Sequence, residues 1–505
     1  TPAVRPWDLT TGREMARLNP YRGSAVWAGF LAGGRSLAVA GTFGELGIWD
    51  SATGQALAIL PRTESTAFTT WSLARDRRHV VGTHTTYQLI VGHRKLDDGR
   101  ILLWNPNGNI GPVALRGQVA PAWDAALTPD GRFIVATEAT GQIRVYDRRT
   151  GKPVRFFAGR IRESCPVISP DGARLATLAP TGTVRIYDFS TGQILHVLKG
   201  PSAARCLTIS PDSRMLASTH STETFGPREP SDMICLWDLA SGRKLRQILV
   251  PRIWAAEHLV FSPDSRLLVS GDMRDVHLWE AASGHERRRY KNDLGQVVSV
   301  DFASDGQRIV STYTSGTALV WRIFDPAISH ASGAQLETRW FELARDGFRA
   351  HRAIGELTAA HGAVQFLSAH LKPVAQPSKS QWHEWLTQLG SKSFSKRQAA
   401  ERELARVSEM LEPELILALS TTSDAEVRRR LARVLLKVDS VETRPEELRE
   451  LRALEVLEHI GTAEARHVLQ KLTQGAPNAR LTRDAKATLA RLTRRLQNGV
   501  TSHSR

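Results

Sequence analysis

The side chains able to do chemistry are scattered along this 505-residue chain. Sixteen histidines are present. Two of them four residues apart on one helical face would hold a metal. His351, His361 and His370 share a helical stretch, but ten and nine residues separate them, so they do not share a face. Asp97 and Asp98 beside His93 offer ligands to a cation by proximity alone, and paired loop carboxylates are ordinarily just solvated. Cys165, Cys206 and Cys235 have no metal-type spacing, and an odd, sparse count is no disulfide framework. As free thiols they favour a reducing compartment, and a cytoplasmic location is expected. The chain has no His-Glu-x-x-His, no Gly-x-Ser-x-Gly, no phosphate-binding Gly-x-x-x-x-Gly-Lys and no Cys-x-x-Cys. Gly41, Gly44 and Gly47 miss the dinucleotide spacing. No catalytic residue, metal or cofactor is expected, and the chain reads as a non-enzyme.

What positions these side chains is a repeat. Trp7-Asp8, Trp49-Asp50, Trp104-Asn105, Tyr146-Asp147, Tyr187-Asp188, Trp237-Asp238, Trp279-Glu280 and Trp321-Arg322 return at gaps of 42, 55, 42, 41, 50, 42 and 42 residues. A fixed period of this size marks units that bury their faces against their neighbours. Each unit holds short β-rich runs split by turns. Pro-Asp-Gly or Pro-Asp-Ser stands at Pro129, Pro170, Pro211 and Pro263, with Ser304-Asp305-Gly306 as a variant. A Thr-Gly or Ser-Gly turn follows most of the dipeptides. Pro presets φ, Asp bonds back to the backbone and Gly accepts positive φ. The Trp or Tyr is a large plug between adjacent units with one polar handle.

On these residues the array resembles the WD40 repeats that build β-propellers. Seven units fit one closed seven-bladed ring over 11–325. The first outer strand would complete the last blade, as the resemblance implies. Residues 1–10 then read as a remnant strand of an upstream repeat, and the start at Thr1 implies further chain before it. An eight-bladed or double propeller is the alternative. The family's buried tetrad of Trp, hydroxyl, His and Asp is mostly missing: Gly117-Gln118, Gly159-Arg160 and Gly200-Pro201 stand where Gly-His is usual.

Two repeats are long, and both insertions fall between the second and third strands. One carries His84, Tyr87, His93, Arg94, Lys95 and Asp97; the other carries Thr222, Phe225, Arg228 and Glu229. Such connections emerge on one face of a propeller, and insertions in repeat arrays often map to the binding face. These ten residues are the candidate partner-binding loops.

Beyond Phe324 the strand grammar ends. Residues 326–380 read as a helical connector and linker. From 381 to 505 the period is near 3.6. Helices are predicted over 381–389, 395–410, 413–419, 425–437, 445–460, 463–472 and 482–496. Asp424 and Thr482 read as N-caps and Gly461 as a C-terminal stop. A small-xxx-Leu spacing recurs at Ala400, Leu431, Ala453 and Ala485 with their partners. The set resembles HEAT-like repeats, and the whole chain resembles bacterial proteins that join a WD40 propeller to such a tail.

The fold class expected is therefore mainly β with an all-α tail. Net charge is +16, spread over both parts without a long basic run. A basic balance attracts nucleic acid non-specifically. Arg428, Arg429, Arg430 and Arg433 form the densest cluster, although Glu426 and neighbouring acids offer internal partners. No run of 18 apolar residues predicts a membrane span. The expected function is a non-catalytic scaffold for protein partners. The alternatives are a regulatory or sensor region whose effector domain, a kinase or transcription factor module, lies upstream, and nucleic-acid binding through the basic helices.

Overall fold

In a computed structural model the chain divides into two compact units, Thr1–Pro326 and Ala327–Arg505. The structure describes residues 7–8, 13–14, 25–41, 46–60, 68–74, 77–90, 93–105, 113–157, 164–179, 181–221, 232–250, 258–324, 333–408, 410–438 and 444–501, with backbone alone for 7–8, 13–14, 60, 68–70, 84–90, 93–98, 221, 232, 333–334, 406, 436–438 and 496–501.

The first unit is a seven-bladed β-propeller. Its blades span 25–60, 68–114, 122–157, 164–198, 204–250, 259–290 and 297–322, each a sheet whose strands pair in sequence order. Blade 3 shows the plan. Strand a is Ala122–Leu127, b is Phe133–Glu138, c is Ile143–Asp147 and d is Pro153–Phe157. Blade 7 has three strands among the described residues. Trp7–Asp8 pairs with Arg13–Glu14 and lies beside its strand c, Ala318–Arg322.

Alternation along each strand buries both faces of each blade, and the seams between blades hold the core. Every dipeptide aromatic of the seven blades packs toward the preceding blade. Trp237 sits with Ala176, Leu178 and Ile186 of blade 4, and Trp279 with Ile234 and Leu236 of blade 5. Trp49 of blade 1 packs with Ala303, Val310 and Ala318 of blade 7, so the same contact closes the ring.

Turn chemistry follows from the sequence. Asp130 accepts the Arg132 N–H at 3.0 Å, and Thr128 donates its hydroxyl to it at 2.5 Å. Gly131 takes φ 65°, a conformation that favours glycine. The acidic residue of the dipeptide has a second role: Asp147 accepts the backbone N–H of Thr150 at 2.8 Å and its hydroxyl at 3.0 Å, which ties the c–d turn.

Strand d supplies a latch that the sequence does not announce. Its third residue reaches a carbonyl of the next blade: Arg155 to Phe189, His196 to Ala240 (2.9 Å), Arg246 to Ala282 (2.7 Å) and Arg288 to Ile323 (3.0 Å).

Cys165 and Cys206 stand at the same distance before their turns, yet the structure places them differently. Cys206 is buried and pairs with Thr219. Cys165 is half-exposed, has φ 50° and lies in a bulge between Ser164 and Val167. The next residue is Pro166, which has no N–H to give to the ladder.

The second unit holds ten helices among the described residues: α1 (Gly333–Glu342), α2 (Gly347–Ala359), α3 (Ala363–His370), α4 (Lys379–Leu389), α5 (Phe394–Val407), α6 (Glu412–Thr421), α7 (Ala425–Val438), α8 (Pro445–Ile460), α9 (Ala463–Leu472) and α10 (Arg480–Thr501). Asp424 accepts the N–H groups of Glu426 and Val427 at the start of α7. Gly461 ends α8 at φ 64°. Thr482 is not a cap: α10 starts at Arg480, and Thr482 is fully buried inside it. Helices α4 with α5, α6 with α7, and α8 with α9 pack as neighbours. Helix α2 lies on α8, where buried Arg452 donates to the carbonyls of Leu343 (2.5 Å) and Arg345 (2.9 Å).

Candidate functional site

The longer insertion is a ribbon rather than an open loop. Strand b of blade 2 runs Val80–Ile90 and strand c His93–Trp104, against five or six residues in blade 3. The ladder continues from Val80 opposite Trp104 to Ile90 opposite His93. Alternating Thr, Tyr, Leu and Ile residues favour the paired state, because β-branched and aromatic side chains suit a pleated surface. The ribbon gathers six candidate residues: His84 pairs with Arg100, Lys95 with Gln88, Arg94 with Leu89 and His93 with Ile90, while Tyr87 opposes Leu96 and Asp97 falls at the register shift.

The second insertion springs from strands Met215–Ser221 and Asp232–Asp238 of blade 5, which pair as far as Ser221 with Asp232. Thr222, Phe225, Arg228 and Glu229 lie outside the described residues. Blades 2 and 5 are not neighbours in the ring, and nothing described joins the two sets.

The basic cluster is partly paired where it stands. Arg430 is 5% exposed and donates to Glu401 (2.5 Å) and Glu426 (2.7 Å). Arg433 reaches Glu401 at 3.2 Å and Arg429 reaches Glu426 at 2.5 Å. Arg428 donates to the Thr422 carbonyl at 2.6 Å. A hydrogen bond from Arg430, with charge from Arg429 and Arg430, holds the Glu426 carboxyl below its usual range. The cluster knits α7 to α5 through Glu401.

Buried polar chains anchor three of the dipeptide tryptophans. Trp237, Trp279 and Trp321 donate Nε1–H to Ser218 (2.8 Å), Ser270 (2.9 Å) and Ser311 (2.7 Å) on strand b of their own blades. In blade 5 the chain continues. Ser218 bonds to His220 Nε2 at 2.8 Å, and His220 Nδ1 meets the Ser202 carbonyl at 2.8 Å. The Ser202 carbonyl only accepts, so Nδ1 carries the proton, and in the neutral ring Nε2 accepts the Ser218 hydroxyl. Burial lowers the His220 pKa, which keeps the ring neutral. In blade 7 Ser311 donates to Tyr313 at 2.7 Å, and in blade 3 Tyr146 donates to Glu138 at 2.5 Å. So the Trp–hydroxyl half of the tetrad survives in three blades. In blades 5 and 7 the next member comes from strand b, two residues past the serine, instead of from a Gly-His pair.

Sequence reasoning passed over one surface. Strand d of blades 3 and 4 turns Val154, Phe156, Leu195 and Val197 to solvent, with Phe156 at 65% exposure. At the same positions in blade 6 stand Arg287, which is buried and paired with Glu280, and exposed Arg289. The signal was the alternation in Pro153–Phe157 and Ile194–Leu198.

Among the described residues no group of three or more His, Cys, Asp or Glu could hold a metal, and no helix is long and apolar enough to cross a membrane. Within this seven-bladed β-propeller, residues 284–322, strand d of blade 6 and the three strands of blade 7, match the family of the WD domain, G-beta repeat. A stretch of 95 residues, 17% of this chain, is 28% identical to the small ribosomal subunit protein RACK1z of Oryza sativa subsp. japonica. It spans 28% of that relative's length.

Proposed function

We propose that this protein is a non-catalytic protein–protein interaction scaffold. The blade 2 ribbon carries the proposal: its strands of 11 and 12 residues extend past the strands b and c of the other blades, which are five to seven residues long, on the face where all b–c connections emerge. Paired strands hold their polar and aromatic residues at fixed spacing, which lowers the ordering cost of binding. The helical unit, with neighbouring helices packed in pairs, is proposed as a HEAT-like second surface. Internal pairing of Arg428, Arg429, Arg430 and Arg433 favours protein over nucleic acid as the partner. A cytoplasmic setting fits three free cysteines.

The test is affinity capture from source-cell lysate with and without nuclease, using the intact chain and a version with the 85–98 ribbon cut to a tight turn. Partners that survive nuclease and are lost with the ribbon support the scaffold. Partners lost to nuclease, with a steep loss of binding as salt rises, replace it with nucleic-acid binding.

A further inference from the structure

His277 stands second in strand c of blade 6, Val276–Glu280, and is 1% exposed. Its Nδ1 lies 2.6 Å from Glu286 Oε1 on strand d, Glu286–Tyr290. Its Nε2 lies 2.9 Å from Asp272 Oδ2 in the b–c turn. Ionised carboxylates only accept hydrogen bonds, so both ring nitrogens must donate, and only the imidazolium carries two N–H groups. A neutral ring would point one lone pair at a carboxylate that has little water around it.

The surroundings require that charge. Asp272 also accepts the N–H groups of Arg274 (2.7 Å) and Asp275 (2.5 Å). Glu286 takes Arg289 through both of its oxygens, at 3.0 and 2.9 Å. Arg289 also feels the charges of Asp275 and Asp272. Three carboxylates thus face one guanidinium and the imidazolium, while the Arg274 side chain is exposed to solvent. On the remaining side the ring stacks on Trp279 at 5.5 Å and 17°. Blade 5 meets that tryptophan with apolar Ile234, Leu236 and Ile248. Burial works against the charge on His277, but hydrogen bonds to Asp272 and Glu286 outweigh it and raise its pKa above the ordinary 6.5. Against burial, His277 and Arg289 hold the Glu286 carboxyl down at about 2.

We propose that His277 is a pH-sensitive latch that clamps the blade 6 b–c turn and strand d to strand c while the imidazole is protonated, and releases them as the medium turns alkaline. A group whose folded pKa is raised contributes its full stabilisation below the unfolded value and loses it as pH climbs through the folded value. Here that loss begins above 6.5. On the acid side Asp272 and Glu286 are depressed, so their share is lost only as pH falls below the ordinary carboxylate range. The released turn carries Met273, 50% exposed, so the latch sets the shape of that part of the b–c face.

The test uses the full chain labelled with carbon-13 at histidine Cε1 and titrated by NMR between about pH 6 and about pH 9. His277→Gln assigns the resonance. Should that variant not fold, the resonance that Glu286→Gln moves assigns it. A protonation midpoint above 6.5 that Glu286→Gln lowers is expected. Hydrogen exchange across 272–276, corrected for the intrinsic rate, reads the latch itself. Its opening constant rises by up to about tenfold per pH unit between the unfolded and folded midpoints and then levels. A midpoint at or below the ordinary value, or an opening constant that ignores pH, overturns the proposal.

Discussion

Arg77 and Asp301, 224 positions apart, form a two-pronged ion pair across the first blade. Arg77 Nη1 lies 2.8 Å from Asp301 Oδ2 and Nη2 lies 3.3 Å from Oδ1. Between them runs strand a of blade 1, whose Phe30 gives its N–H to Asp301 (3.0 Å) and its carbonyl to Arg77 (2.9 Å). Blade 2 therefore holds blade 7 over blade 1, at the seam where the ring closes. Asp301→Ala should lower propeller stability by about 2 kcal/mol, because a charged acceptor with a buried backbone donor is lost. Denaturant unfolding in a double-mutant cycle with Arg77→Ala checks this; additive losses would mean the pair is not coupled.

Ser213 and Ser265 occupy the left-handed turn position that Gly131 and Gly172 hold elsewhere, at φ 60° and 65°. Each accepts a backbone N–H from the preceding blade: Asp171 to Ser213 at 3.0 Å and Asp212 to Ser265 at 3.2 Å. Backbone strain is offset by a bond between blades. Ser213→Ala keeps the strain and loses the bond, and should cost about 1 kcal/mol. Ser213→Gly loses the bond but relieves about 1 kcal/mol of strain, so it should be near neutral. Equal melting temperatures for the two variants would reject this account.

Gly200 has no room for a side chain. A Cβ there would lie 1.9 Å from Cε1 of His220, which is held by Ser218 and Ser202. Gly200→Ala must displace that ring and break the chain to Trp237, at a cost of about 2–3 kcal/mol. The check is a shifted Nδ1–H signal of His220 together with the fall in stability.

Within the basic cluster the four arginines are not equivalent. Removing Arg430 leaves Glu401, which is largely buried, with only Arg433, so Arg430→Ala should destabilise the helical unit by about 2–4 kcal/mol. Arg428→Ala, on the exposed side, should change stability by less than about 0.5 kcal/mol. Helical circular dichroism through a thermal ramp measures both. Similar losses for the two would show that the Glu401 pairing contributes little.

At the acid end the Asp188 turn should be among the last carboxylate contacts to be lost. Hydrogen bonds from Ser190 and Thr191 hold the Asp188 carboxyl at about 2. A depressed carboxyl contributes above its ordinary value, 3.8, and that contribution is lost as pH falls toward the folded one. Side-chain carboxyl chemical shifts followed from neutral pH downward should show Asp188 among the last to protonate.

Much of the fold is written locally. The Trp/Tyr dipeptides with their turns, the Pro-Asp-Gly turns and the helical caps act over two to five neighbouring residues, so their spacing predicts seven repeat units and an all-α tail, and the resemblance to WD40 repeats adds the closed ring. Helices 445–460 and 463–472 match to the residue because Pro445, Gly461 and Thr462 bound them chemically. What lies between blades could not be read. The Arg246 latch, the Ser213 bond and the Arg77 bridge join residues 36 to 224 positions apart, and no local pattern marks an arginine as a reacher rather than a solvated charge. The candidate site shows the same split. The sequence located the insertion at 82–100 by its length, but strand pairing over Val80–Ile90 made it a ribbon, since a ladder depends on which residues come opposite each other. At 428–433 the sequence showed positive charge with Glu426 and neighbouring acids as candidate partners, but not Glu401. Packing of α7 beside α5 decided that Glu401 would pair with Arg430 and Arg433, because ion pairing is set by distance in space rather than along the chain.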